Sequence, residues 1–227
     1  DAEFVVSTHV ILLACVCSFG FLSNSLILFL SSCFRRSLLT PSNVYLANKA
    51  LADLLLLSIS PLHLLSISSS PGAGWVFGNL GCQIVSFADL VFMFASLHSM
   101  FALSHELYAI FVKPEWLVNN KKAWGHMLAN WIYCTFIVVP ILTTSNAFKK
   151  DGLMVCGYKW PPIQYYYAMY FVSLWIVGFL GPFAQIVLWY HRVRVQSSTD
   201  TDDLVIKLND QPLSTRYDVD VQNRCKA

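Results

Sequence analysis

Two acidic residues lie inside long apolar stretches, where a charge is costly. Asp53 lies in the run from 43 to 68, and Asp89 lies in the run from 80 to 112. A charged side chain at the centre of a bilayer costs roughly 2.5–3.5 kcal/mol or more, so such residues usually pair with a partner or face a cavity. Cys82 precedes Asp89 by two helical turns, which places both on one helix face. A carboxylate at either position can pair with a cation.

The elements that carry these residues are unusually apolar. Of the 227 residues, 56% are hydrophobic and only 12% are charged, whereas a soluble domain carries about 25% charged residues. This composition predicts an integral membrane protein in contact with lipid. The net charge of +2 gives no basis for nucleic-acid binding. The chain starts at Asp1, so we expect a fragment or a processed product.

Five apolar runs are long enough to cross a membrane as helices. They cover about 5–33, 43–68, 80–112, 123–142 and 164–190. The predicted fold is therefore all-α, a polytopic transmembrane helix bundle over 1–194. The remaining residues, 195–227, form a polar tail rich in aspartate and are predicted to be disordered.

The bias of lysine and arginine between the two sides predicts the orientation. One side carries Arg35, Arg36, Lys113, Lys121, Lys122, Arg192 and Arg194. The other carries Lys149, Lys150 and Lys159. We therefore expect the first side to be cytoplasmic, with the N-terminus outside and the C-terminus inside. Cys82 and Cys156 then lie on the outer, oxidising side, where a bond between them would persist.

Several ordered motifs carry a resemblance to a known family. They are SNSLILFL with Asn24, TPSNVYLANKALADLL with Asp53, WVFGNLGC with Cys82, Trp131 and Pro140, Cys156, and Phe179, Pro182 and Tyr190. From about Asn24 to Tyr190 the chain resembles the rhodopsin-like (class A) G-protein-coupled receptors. TPSN, WVFGNLGC and DGLMVCGY look most like the opsin branch, whereas Lys49 stands where the family usually has leucine. The resemblance implies five spanning helices of a seven-helix receptor plan.

The resemblance also implies a disulfide and an ion site. It pairs Cys82 with Cys156. It makes Asp53 the acid of a sodium pocket, with Asn24 and Ser96 as neighbours, and sodium is the only metal that it implies. The alternative for Asp53 is a structural acid held by hydrogen bonds. The opsin lysine lies on the seventh helix, so we expect no retinal Schiff base and no other cofactor in this chain.

Asp89 is the candidate ligand-binding acid. In the amine-binding branches an acid at this position pairs with the ammonium group of the ligand, which implies a small, cationic extracellular ligand. Trp75, Phe92 and Met93 would supply apolar walls. On the fifth helix, Leu174 and Trp175 offer no hydroxyl group for a catechol. The alternative is a polar contact between Asp89 and a neighbouring helix.

The inner end of the third helix departs from the family. The family ends this helix with an acid, an arginine and a tyrosine, whereas this chain has Glu106, Leu107 and Tyr108. Leucine cannot form the ion pair or reach a G protein with a charged fork. Pro114 matches the second inner loop, and Tyr190 matches the tyrosine that meets the missing arginine. Coupling to a G protein is therefore in doubt.

These observations predict a G-protein-coupled receptor, as a fragment or a truncated form, in the plasma membrane. One alternative is a truncated, non-signalling membrane protein that associates with full-length receptors. Another is a fragment of a light-sensing opsin. A transporter is disfavoured because the sequence lacks repeats and further intramembrane charges. An enzyme is disfavoured because no nucleophile can be placed beside a base.

Overall fold

A computed structural model of the chain describes residues 2–33, 40–68, 74–150, 152–158 and 164–210. The helices are α1 (Ala2–Cys33), α2 (Pro41–Ser68), α3 (Gly78–Phe111), α4 (Asn120–Val138), α5 (Ile141–Thr144), α6 (Gln164–Trp175) and α7 (Gly181–Asp210). A 3₁₀ turn covers Pro114–Trp116, and a π-helical segment covers Ile176–Leu180. Two strands, β1 (Ser145–Lys150) and β2 (Leu153–Tyr158), follow α5.

Four helical segments are long and apolar enough to span a membrane. They are Ile11–Cys33, Gly78–Phe111, Asn120–Thr144 and Ala168–Thr199. Large apolar side chains such as Phe19 and Phe136 are about three-quarters exposed, as expected for a surface whose solvent is hydrocarbon. This confirms a multi-pass helical bundle. The second predicted span coincides with α2, a helix of 28 residues, but it is not among the four, so its crossing stays a prediction.

The bundle is organised around α3, which packs against α2, α4, α7 and β1. Its middle contributes Val91, Phe94 and Ala95 to the main core cluster. The close approach of the fifth span depends on Gly178, because a Cβ there would lie 2.6 Å from a ring carbon of Phe94. Ten buried residues on α3 thus make it the frame on which the other helices position their polar groups.

A β-hairpin covers the N-terminal end of α3, which is its outer end in the predicted orientation. The predicted loop over 143–163 contains β1 and β2, which pair antiparallel with Ala147 opposite Cys156. Gly152 provides the turn with a φ of 84°, a conformation that glycine adopts without strain. Gly74, with a φ of 57°, lets the Trp75 backbone N–H donate to the carbonyl of Met154 at 2.6 Å. The hairpin is therefore attached to the segment that enters α3.

The fifth span consists of α6, the π-helical segment and α7. Pro182 is the second residue of α7, after Gly181 and the π-helical segment. The wide turn accommodates the hydrogen bond that is missing because proline has no backbone N–H. The helix then continues to Asp210, where the sequence predicted a disordered tail from residue 195. Extending an existing helix avoids the cost of nucleating a new one, which explains the difference. Residues 211–227 of the predicted tail lie outside the described residues.

Candidate functional site

A cavity of about 400 Å³ lies at the outer end of α3, and Asp89 is one of its lining residues. Ser60 of α2, Ser86 of α3 and the Cys156–Tyr158 end of β2 line the rest. Its size lies within the range of small-ligand pockets. An acid surrounded by hydroxyl groups and backbone can receive a cation with hydrogen-bonding protons.

The disulfide that the resemblance implied forms one wall of this cavity. Cys82 and Cys156 are bonded, with their Cα atoms 5.5 Å apart, which confirms the predicted pair. Cys82 is fully buried against Trp75 and Val85. The Ser86 hydroxyl lies 3.6 Å from the sulfur of Cys156. The bond therefore fixes β2 directly over the face of α3 that carries Asp89.

The other predicted ligand contacts lie away from this cavity. Phe92 packs edge-on against Trp131 of α4, with ring centroids 6.0 Å apart, and Met93 packs against the main core cluster. Leu174 is 5% exposed within that cluster. Trp175 is about half exposed and contacts Phe179. Within the described residues, only Asp89 of the predicted ligand set lines the cavity.

Tyr158 is a lining residue that sequence reasoning missed. Burial raises the pKa of its phenol, and the negative charge of nearby Asp89 raises this pKa further. The phenol therefore stays protonated at neutral pH and can donate a hydrogen bond to an acceptor in the cavity. The DGLMVCGY motif ends at this tyrosine, but the resemblance assigned it no role.

The predicted ion site has an internal cation. The Lys49 ammonium lies 2.5 Å from Oδ2 of Asp53, and the Ser96 hydroxyl donates to Oδ1 at 2.5 Å. The Asn24 amide instead donates to the carbonyl of Gly20 on its own helix at 2.9 Å. The structure thus brings Asp53 and Ser96 together and adds Lys49. The described residues contain no group of three or more histidine, cysteine or acidic residues able to hold a metal ion.

A second polar network, which sequence reasoning also missed, joins α2, α3 and α4. The Asn48 amide donates to the Ser99 hydroxyl at 2.7 Å, and the Trp131 indole N–H donates to the Asn48 carbonyl oxygen at 2.9 Å. The Asn130 amide donates to the carbonyl of Ala95 at 3.2 Å. The sequence signal was an asparagine in the second span and another in the fourth, because an amide in hydrocarbon requires a partner.

The C-terminal end of α3, which is its inner end in the predicted orientation, packs against aromatic side chains. Trp189 of α7 is 7% exposed and has ring centroids 4.9 Å from Phe101, 5.2 Å from His105 and 6.0 Å from Tyr108. Trp116 stacks on His105 from the other side, with centroids 5.8 Å apart. This aromatic cluster, formed by Phe101, His105, Tyr108, Trp116 and Trp189, fastens α7 to α3.

The residues predicted for signal transduction lie around this cluster and differ in how exposed their side chains are. Glu106 is 2% exposed, and its Oε2 has no hydrogen-bond partner within the described chain. Leu107 is 43% exposed, so it faces outward from the cluster. Pro114 begins the exposed 3₁₀ turn. Tyr190, which the resemblance matches to the tyrosine that meets the missing arginine, is 70% exposed, and its neighbour Trp189 makes the contact with α3.

Comparison with known proteins agrees with this arrangement. The model of the family "7 transmembrane receptor (rhodopsin family)" matches residues 23–200. The chain is 29% identical to somatostatin receptor type 1 of Rattus norvegicus over 77% of this chain and 45% of the relative. It is 24% identical to a GQ-coupled rhodopsin of Mizuhopecten yessoensis over 75% and 35%. It is 24% identical to neuropeptide receptor 22 of Caenorhabditis elegans over 80% and 43%. The chain thus spans less than half the length of these three relatives.

Proposed function

The chain belongs to the rhodopsin family of seven-transmembrane receptors, and from this premise we propose that it binds an extracellular ligand in the cavity at Asp89. The proposal assigns the ligand a cationic group, an ammonium or a guanidinium. The observation that carries it is an acid of a membrane-spanning helix lining a cavity with Ser60, Ser86 and Tyr158. Such acids usually mark ligand or ion sites.

The names of the relatives do not select one ligand. They are a somatostatin receptor, a neuropeptide receptor and a rhodopsin. What these proteins have in common is their family, so the proposed ligand class is argued from the chemistry of the cavity. A carboxylate beside hydroxyl groups favours a cation over an anion. When the ligand and Asp89 leave water together, their opposite charges balance each other.

The proposed orientation follows from the distribution of lysine and arginine, although Arg35, Arg36 and Lys159 lie outside the described residues. The 3₁₀ turn at Pro114 and the inner end of α7 would face the cytoplasm, and the hairpin would face the outside of a plasma membrane. A ligand at Asp89 contacts α2, α3 and β2 at once. It would therefore favour one packing of these elements and shift the population toward it.

Asp89→Asn in the full chain, reconstituted in lipid nanodiscs, tests the proposal. A panel of primary, secondary and quaternary amines and guanidines is screened by thermal shift and then by saturation binding. We expect the affinity for a bound cation to fall at least tenfold, since a charge-assisted contact is replaced by a neutral one. Matched neutral analogues of each amine serve as a second comparison.

Ser60→Ala is the control, because it changes the same cavity without changing its charge. We expect this variant to keep the affinity within about threefold, the effect of one neutral hydrogen bond. If Asp89→Asn binds every cation as tightly as the unmodified chain does, the proposed role of Asp89 is excluded.

A second candidate function is supported by the inner end of α3. Leu107 replaces the arginine through which the family reaches its G protein, and the aromatic cluster joins α3 to α7. The chain would then bind a ligand or a full-length receptor without signalling. Co-expression with a related receptor, followed by cross-linking and a G-protein activation assay, distinguishes the signalling function from the non-signalling one. Activation by the chain alone would favour the signalling function.

A further inference from the structure

Lys49 and Asp53 lie one turn apart on α2 and form an ion pair. The ammonium nitrogen is 2.5 Å from Oδ2 of Asp53, and the two side chains are only 29% and 17% exposed. Their spacing of four residues places both on one face of the helix. A lysine within an apolar helix is costly unless its charge is matched, so the contact accounts for the presence of both residues.

The second oxygen of Asp53 is bound from the neighbouring helix. The Ser96 hydroxyl of α3 donates to Oδ1 at 2.5 Å. One oxygen is therefore paired with a cation on α2, and the other accepts a hydrogen bond from α3. The carboxylate connects the two helices with its charge already balanced inside the chain.

The groups around Asp53 do not fit a sodium ion. A sodium ion needs several oxygen ligands with free lone pairs, and Oδ2 of Asp53 already contacts a positive charge. A second cation at the same oxygen would be repelled by the ammonium, and the repulsion is strong where water is scarce. The amide nitrogen of Asn24, the other expected neighbour, donates to the carbonyl of Gly20 on its own helix and not to Asp53. The residues at Asp53 therefore do not form the sodium site that the family resemblance implied.

We propose that Lys49 is a built-in cation that takes the place of the sodium ion. The α2–α3 contact is then stabilised by a residue of the chain and does not respond to the sodium concentration. The inference is independent of the ligand proposed at Asp89, because it concerns a different acid. It also explains why a lysine is tolerated at a position where the family has leucine.

The first test compares salts. The full chain in lipid nanodiscs is melted in sodium chloride and in choline chloride at equal concentration, with tryptophan fluorescence as the readout. We expect the two melting temperatures to agree within about 1 °C, because screening by the two salts is the same. A sodium-specific rise that disappears in Asp53→Asn would overturn the proposal.

The second test is a double-mutant cycle with Lys49→Met, Asp53→Asn and the double variant. Breaking a buried pair from either side leaves an uncompensated group, so each single change should lower the melting temperature by about 5–10 °C. We expect the double variant to be more stable than the less stable single variant. A double variant that is no more stable than that single variant would overturn the proposal.

Two further variants test whether the effect of Lys49→Met comes from losing the charge at this position. Lys49→Arg keeps the charge and should therefore lower the melting temperature less than Lys49→Met does. Lys121→Met removes a lysine that is exposed at the start of α4 and should leave the melting temperature unchanged within about 1 °C. If Lys49→Met behaves like Lys121→Met, Lys49 is not the cation of this site.

Discussion

At its outer end, α3 is cross-linked to the hairpin through Cys82 and Cys156, whereas at its inner end it is joined to α7 by the aromatic cluster. The outer end keeps the family pattern and has an acid beside a cavity. The inner end has Leu107 where the resemblance implies an arginine. Among the described residues, Glu106 is buried there without a salt bridge. One helix thus carries the family pattern at one end and a substituted pattern at the other.

The two ends of α3 have different requirements. A covalent bond holds β2 over α3 without filling the space between them, so a cavity can remain. At the inner end, aromatic rings of α7 and α3 contact each other directly, and this contact joins the two helices. We infer that the outer end is built to admit a ligand and that the inner end is built to hold α7 against α3.

Removing the disulfide should have the largest effect. The bond closes a loop with a sequence separation of 74 residues, for which the chain-entropy model gives about 4–5 kcal/mol. We expect Cys82→Ser to lower the free energy of unfolding by about this amount, as measured by chemical unfolding in nanodiscs. Cys33→Ser, which removes an exposed free thiol, is the control. Equal stability of the two variants would contradict the structural role of the bond.

Trp189→Ala should have the next largest effect, because it removes the ring that contacts three aromatic residues of α3. Truncating a buried tryptophan costs about 3 kcal/mol or more. The adjacent change, Tyr190→Ala, removes a side chain that is 70% exposed and should cost less than about 0.5 kcal/mol. Equilibrium unfolding measures both. If the order were reversed, the fifth span would present the opposite face to α3.

Tyr158→Phe should have the smallest effect, and only in alkaline solution. The pKa of Tyr158 is raised in the folded chain by burial and by Asp89, so the unfolded chain ionises first as the pH rises. The contribution of this group is therefore fully present below about pH 10 and is lost as the pH rises through the folded-state pKa. We expect the unmodified chain to lose stability above about pH 10 more steeply than Tyr158→Phe. Parallel pH–stability curves would contradict this assignment.

The residues that sequence reasoning placed correctly have partners within a recognisable motif. Cys82 and Cys156 were paired by resemblance, and Asp53 was recognised as an acid that needs neighbours. Lys49 was noticed only as a departure, because a sequence does not show whether a lysine reaches outward along the helix or inward to an acid. The contact with Asp53 required the three-dimensional arrangement.

The contacts that sequence reasoning did not predict depend on the rotation of a helix about its axis. Adjacent helical residues point about 100° apart, so the sequence alone did not show that Trp189, and not its neighbour Tyr190, contacts α3. The π-helical segment Ile176–Leu180 changes the register of everything after it, and no local pattern predicted its position. Phe92 and Leu174, which were assigned to a ligand site, pack with the main core cluster, so their contact with a ligand stays a prediction.

The central claim is that α3 crosses the membrane with its cross-linked end outside and its aromatic end inside. Val76→Cys, before α3, and Leu117→Cys, after it, replace side chains that are 66% and 51% exposed and can be labelled with a membrane-impermeant maleimide in intact cells. Labelling of the unmodified chain sets the background from its free cysteines. We predict that Val76→Cys reacts in intact cells and that Leu117→Cys reacts only after permeabilisation. Equal reactivity of the two positions in intact cells, or the reverse pattern, would contradict the account.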